Sequence, residues 1–65
     1  MSIEIKLQTG ARVNLKEVES MELFHETYTV SHWVPMKEGS LVRELIFDRF
    51  PVSMVDRFTI INFEG

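Results

Sequence analysis

The sequence contains no cysteine, and this absence removes two common ways of stabilising a small domain. A disulfide cannot form, and a zinc site built on thiolates is excluded. A chain of 65 residues forms one domain and buries only about 60% of the surface that its unfolded form exposes. Its stability therefore has to come from side-chain packing, with self-association as a further source.

Glycine and long apolar runs are also scarce. The three glycines, at positions 10, 39 and 65, lie too far apart to form a phosphate-binding loop. Apolar runs stay far below the roughly 18 residues of a membrane span. The first ten residues, MSIEIKLQTG, have neither a basic leader nor an unbroken apolar core. We therefore expect a cytoplasmic protein without a signal peptide and without a membrane partner.

Basic residues are few and scattered. Seven Lys and Arg face ten Asp and Glu, which gives a net charge of −3. This is the wrong sign for a general affinity to phosphate backbones, so nucleic acid is disfavoured as the main partner. The acidic residues concentrate in residues 17–26, which hold four glutamates and no Lys or Arg. That stretch is either a solvated face or an acidic patch that binds a basic partner surface.

Groups that could perform chemistry are sparse. The only imidazoles are His25 and His32, and none of the serines stands in a glycine-flanked elbow. We predict that the chain is not an enzyme and uses no cofactor. The two histidines together with Glu22 or Glu26 are residue types that bind zinc, but their spacing in the sequence is not specific for a metal site. We predict no metal and expect both histidines to be partly exposed residues of a sheet.

The N-terminal segment has the period of a strand. Ile3, Ile5 and Leu7 alternate with charged residues, which is typical of a strand with one buried face. Gly10 can adopt the positive φ of a tight turn, after which the alternation resumes. Residues 2–15 therefore predict a β-hairpin.

Residues 12–24, RVNLKEVESMELF, reappear in outline as residues 49–61, RFPVSMVDRFTII, and the two segments start 37 residues apart. The alignment pairs Val18 with Val55, and it predicts a turn at 16–17 and another at 53–54. Pro51 disfavours a helix in the second copy, which favours a strand over residues 19–24 in the first. The repeat suggests an internal duplication within a single β-rich domain, residues 1–65.

The remaining segments complete a β-rich pattern. Residues 27–34, TYTVSHWV, predict a strand that ends at Pro35. Residues 41–49 fit either a strand or a helix capped by Ser40, and Phe58, Ile60 and Phe63 predict a last strand. The expected fold is mainly β. It is a small single-domain antiparallel barrel or sandwich of six to seven short strands, with at most one short helix or helical turn.

The single tryptophan is the residue that most suggests a binding surface. Strand alternation places Trp33 on a polar face, where it would anchor an interface. Alternatively, the twist of a small barrel would bury Trp33 in the core, and we favour this second interpretation. Combined with the acidic stretch, it gives a predicted partner-binding set: Glu17, Glu19, Glu22, Tyr28, His32, Trp33 and Met36.

Three functions follow from these features. The first is a noncatalytic protein-interaction module, an inhibitor or adaptor that binds a larger protein through acidic and aromatic surface. The second is a structural homo-oligomer that pairs through strand edges. The third is a β-barrel that binds single-stranded nucleic acid, which the absence of Lys and Arg from residues 27–36 disfavours. In size and charge the chain resembles the small acidic accessory proteins of bacteriophages and mobile elements.

Overall fold

The structure is a computed structural model that describes residues 1–62. Within this range the chain forms six strands and one 3-10 turn. The strands are β1 (Ser2–Leu7), β2 (Arg12–Leu15), β3 (Val18–Phe24), β4 (Thr27–Pro35), β5 (Arg43–Pro51) and β6 (Val55–Asn62), and the 3-10 turn is Val52–Met54. The prediction of a mainly β fold is confirmed. Residues 43–51 form a strand, and Phe63 lies outside the described residues.

The strands form two antiparallel sheets of three strands each. Sheet I has the order β2-β1-β6 and sheet II has the order β3-β4-β5. Backbone pairing within residues 1–62 stays inside each sheet and does not close into one barrel. No helix among these residues is long and apolar enough to cross a membrane.

The chain passes between the two sheets twice. The first passage is the two-residue link from β2 to β3, where Glu17 adopts a positive φ of 53°. The second is the 3-10 turn from β5 to β6. Both positions coincide with the turns that the repeat predicts. The two sheets also have related strand orders. If β1, β2 and β3 are exchanged for β4, β5 and β6, the order β2-β1-β6 becomes β5-β4-β3, which is sheet II read from its other edge. The duplication itself stays a prediction.

A two-residue turn joins β3 to β4. His25 and Glu26 both adopt positive φ, 49° and 58°, which is the geometry of a type I′ turn and matches the twist of the flanking strands. The carbonyl of Glu26 accepts a hydrogen bond of 2.9 Å from the backbone N–H of Val52. The expectation that His25 is a sheet residue is therefore wrong, because the short link between the two strands uses this residue as its turn.

The core lies between the two sheets and is small. Its buried apolar side chains are Ile3, Ile5, Leu15, Val18 and Val30. Partly buried residues surround them, among them Tyr28 and Phe58, whose rings meet edge to face with centroids 4.5 Å apart. Burial of this apolar surface is the main stabilising contribution that the fold provides.

Candidate functional site

Sheet II has one side that faces the core and one that faces outward. Because side chains alternate along a strand, Tyr28, Val30 and His32 share one side of β4. Val30 and His32 are buried, so this is the core-facing side. Thr29 and Trp33 belong to the opposite, outer side. The predicted partner-binding residues of β4 are therefore separated by the sheet.

Trp33 stands at the centre of an apolar group on the outer side. Its side chain is 38% exposed, so Trp33 is a surface residue and the expectation that it belongs to the core is wrong. Leu45 of β5 lies directly across from it, and Phe47, which is 56% exposed, is the next residue of β5 on that side. Such diagonal neighbours lie about 7–8 Å apart, within reach of aromatic side chains. The sheet thus assembles three large apolar side chains from two strands.

A hydrogen bond from β3 fixes the indole. The Nε1–H of Trp33 donates to Oε2 of Glu19 over 3.2 Å. The β3–β4 register shifts between Val18 and Ser20, and Glu19 occupies this irregularity. A second bond, 3.1 Å from the backbone N–H of Trp33 to the carbonyl of Glu17, ties the same part of β4 to the crossing between the sheets. The indole is therefore held in a defined orientation.

The acidic stretch is partly neutralised by β5. Glu17 forms an ion pair with Arg43. Glu22 lies opposite Thr29, whose partner on the other side is Arg49. Within residues 1–62, neither Glu19 nor Glu22 belongs to an ion pair. Three carboxylates and two guanidinium groups therefore surround the apolar group, and the acidic character of the stretch is weaker than its sequence suggests.

Small polar side chains form the floor beside this group. The hydroxyl oxygens of Ser20 and Ser31 lie 2.6 Å apart across β3 and β4, and Ser31 is buried. Phe47 is the partner of Ser31 on β5. Because Ser31 is only 3% exposed, the side chains around it cover it. We call this part of the surface, with Trp33 and Phe47 on it, the shelf.

An open groove of roughly 420 Å³ adjoins the shelf. It lies where the link between β2 and β3 meets the end of β4, and Trp33 forms part of its wall. Its lining residues are Asn14, Leu15, Lys16, Glu17, His32, Trp33, Val34 and Pro35. The groove extends the outer surface of sheet II toward sheet I.

Of the other predicted binding residues, His32 lines this groove from the core-facing side of β4, and Tyr28 and Met36 are not among its lining residues. His32 is buried, and its Nε2 lies 2.7 Å from Oδ2 of Asp48, so the expectation of a partly exposed histidine is wrong. Tyr28 packs against Phe58 in the space between the sheets. Met36 is exposed in the loop after β4, where its backbone N–H donates to the carbonyl of Val42 over 3.0 Å. Of the aromatic part of the predicted set, only Trp33 lies on the outer side.

The sequence analysis missed the residues that β5 contributes. Arg43, Leu45, Phe47 and Arg49 alternate along one side of this strand and face outward next to Trp33. The same alternation is visible in the sequence once residues 43–49 are assigned to a strand. The sequence indicates these residues only if residues 43–49 are assigned to a strand, and the local pattern there fitted a helix as well.

The arrangement is suited to binding. Aromatic, aliphatic and charged groups lie together on a face that β-sheet hydrogen bonds hold rigid. Among residues 1–62, no three His, Asp or Glu side chains are placed to hold a metal ion together. Comparisons with protein-family models, curated proteins and solved structures found no match for this chain.

Proposed function

We propose that the protein is a noncatalytic docking module that binds a larger protein, as an inhibitor or an adaptor. The contact surface is the outer side of sheet II, called the docking face below. It comprises Glu19, Glu22, Trp33, Leu45 and Phe47. The observation that carries the proposal is the exposed indole of Trp33, which a hydrogen bond to Glu19 holds in place beside exposed Phe47.

The energetics of protein interfaces support this surface. Tryptophan is enriched among the few residues that dominate binding energy, and such residues lie at the centre of a patch with a polar rim. Trp33 has Leu45 and Phe47 on one side and carboxylates on the other. Because Glu19 restrains the indole, less side-chain entropy is lost on binding. The docking face therefore combines an apolar centre with a preorganised anchor.

The charges indicate the chemistry of the partner. Glu19 and Glu22 border the apolar centre, and the whole chain carries a net charge of −3. A partner surface with an apolar side chain beside an exposed Arg or Lys would fit both features. An arginine could stack on the indole of Trp33 while it pairs with the carboxylate of Glu19. We therefore expect a basic protein surface.

Single-stranded nucleic acid fits the same face less well. Arg43 and Arg49 do place two cations beside the aromatic side chains, which the sequence alone did not suggest. Arg43, however, is already paired with Glu17, and three glutamates border the face. Stacked bases require neighbouring phosphates to be neutralised, so this balance of charge favours a protein partner.

A site-specific crosslink in the source cell tests the proposal. A photoreactive benzoyl-phenylalanine at position 47 would lie on the docking face, and the same probe at position 59 would lie on the outer side of sheet I. We expect the probe at 47 to give one discrete protein adduct and the probe at 59 to give none. The adduct should disappear when Trp33→Ala or Glu19→Lys is added.

The partner identified in this way then allows a quantitative check. Truncation of a central aromatic residue typically costs 2 kcal/mol or more, so Trp33→Ala should raise the Kd about 30-fold or more. Leu41→Ala is the matched control, because Leu41 is 97% exposed in the β4–β5 loop and should leave the Kd unchanged. An adduct that survives both docking-face substitutions, or an adduct with nucleic acid, would refute the proposal.

A further inference from the structure

Two of the four edge strands, β3 and β6, have core-facing positions that nothing within residues 1–62 covers. Met21 pairs with buried Val30, yet it is 42% exposed, and Leu23 on the same side is 58% exposed. Ile60 pairs with buried Ile3 and is 59% exposed. In a complete two-sheet core these positions would be buried. The space between the sheets is therefore open along this side.

Contacts across the core link these positions: Tyr28, the partner of Leu23, meets the ring of Phe58, which stands two residues before Ile60. The backbone N–H of Val18, at the start of β3, donates to the carbonyl of Met1 over 2.8 Å. At the end of β6, Asn62 pairs with Ser2. Both strands therefore border the first residues of β1. We call the surface that they present the open strip, and it comprises Met21, Leu23 and Ile60.

We propose that a second copy of this chain covers the open strip and forms a two-fold symmetric dimer. The total accessible surface provides the first argument. It measures 5019 Å², whereas a folded monomer of this mass exposes about 4300 Å². This excess of about 700 Å² belongs to the chain as a whole, and the exposed side chains of Met21, Leu23 and Ile60 contribute to it. In a standard interface each partner buries roughly 800 Å².

The chemistry of the strip argues for a copy of the same chain. Its three side chains are all apolar and uncharged, so the strips of two copies can come together without charge repulsion between strip residues. An apolar surface is complementary to itself, which a two-fold interface requires. The docking face, in contrast, carries carboxylates that would repel one another in such a contact.

The unpaired edge of strand β3 can form the backbone contact of this dimer. Within residues 1–62, β3 is paired with β4 alone, so its other edge has free N–H and C=O groups. Two β3 strands pairing antiparallel around a two-fold axis at Leu23 would place the two Leu23 side chains together. This register sets Glu22 against Phe24 of the second copy, so the two Glu22 carboxylates are diagonal neighbours about 7–8 Å apart and do not lie directly opposite each other. The two sheets II would then form one six-stranded sheet.

A mass measurement on the full chain tests the association. Analytical ultracentrifugation from micromolar to millimolar concentration should show the mass of two chains. Leu23→Asp should give a monomer, because a carboxylate would be buried at the axis. Leu41→Asp is the matched control and should remain dimeric, since Leu41 is 97% exposed in a loop. Circular dichroism of both variants verifies that they keep the β fold.

A cysteine probe tests the register. Since the chain has no cysteine, Leu23→Cys introduces a single thiol, and a symmetric axis at this residue would let two thiols form a disulfide under mild oxidation. Leu41→Cys should crosslink far more slowly. A monomeric wild type at millimolar concentration, a dimer that persists in Leu23→Asp, or equal crosslinking of both cysteines would overturn the inference. Trp33→Ala should leave the dimer intact, which separates this test from that of the docking face.

Discussion

At the residue scale, the contact between His32 and Asp48 connects a buried polar side chain of β4 to β5. Its atoms lie 2.7 Å apart, and the imidazole is almost completely shielded from solvent. In the register of β4 and β5, His32 pairs with Ile46, so Asp48 lies two residues further along β5. Both side chains are on the side of sheet II that faces sheet I. A buried imidazole needs such a partner, because a polar group without one carries its full desolvation penalty.

This contact gives a prediction for stability. Asp48→Ala should lower the free energy of unfolding by about 1–3 kcal/mol, since Nε2 of His32 loses its acceptor. Urea denaturation followed by the fluorescence of Trp33 measures the change. Asp56→Ala is the matched control: its ion pair with Lys6 spans 3.7 Å and is exposed, so its removal should cost about 0–1 kcal/mol. Equal effects of the two substitutions would show that His32 does not depend on Asp48.

Trp33 shows how far the sequence predicts a single side chain. Strand alternation placed it on the polar side of β4, and the structure agrees. The expectation that it is core failed because it assumed that the twist of a small barrel folds the indole inward. The grouping of Trp33 with Tyr28 and His32 failed for a related reason. Closeness in sequence does not put residues on one side of a strand, because the even positions of β4 face the core.

At the element scale, the turn between β3 and β4 is formed by residues that are poorly suited to it. His25 and Glu26 both adopt the left-handed conformation, which costs a non-glycine residue about 1–2 kcal/mol. Type I′ turns strongly prefer Asn-Gly for this reason. The turn is therefore fixed by the pairing of the two strands that it connects.

Glu26→Gly should stabilise the protein by up to about 1 kcal/mol, because the relief of backbone strain exceeds the added entropy of the unfolded chain. Thermal or urea denaturation measures the effect. Glu38→Gly is the control for the same change of side chain. Glu38 is not among the positive-φ residues of the described range, so this substitution should be neutral or destabilising. A stabilising effect at both positions would argue against strain in the turn.

Strand β5 was undecided in the sequence for a physical reason. The helical pattern there relied on Leu41 and Val42, which precede the strand and are exposed. The pattern of a strand and that of a helix both fit the remaining residues. What decides between them is pairing with β4, in which every residue from Arg43 to Pro51 has a partner. Such nonlocal pairing is invisible to a local window, whereas the alternation of β1 was sufficient by itself.

At the scale of the whole molecule, the proposed dimer would make the stability of this small core dependent on association. A protein whose dimer is the stable form gains apparent stability with concentration. We therefore expect the thermal unfolding midpoint of the wild type to rise as the protein concentration is increased. The midpoint of Leu23→Asp should be independent of concentration. A constant midpoint for the wild type would mean that the monomer is stable without the second copy.

The pairing of β1 with β6 has a consequence for the order of folding. Among the described strands, residues 2–7 are synthesised before the others, yet one of their two partner strands is residues 55–62. Sheet II consists of strands joined by neighbouring hairpins and can form early, but sheet I must wait for the last strand. Contacts between such distant parts of a chain form slowly. During synthesis the nascent chain therefore carries Ile3 and Ile5 without their final cover, and this interval is when it is most exposed to aggregation.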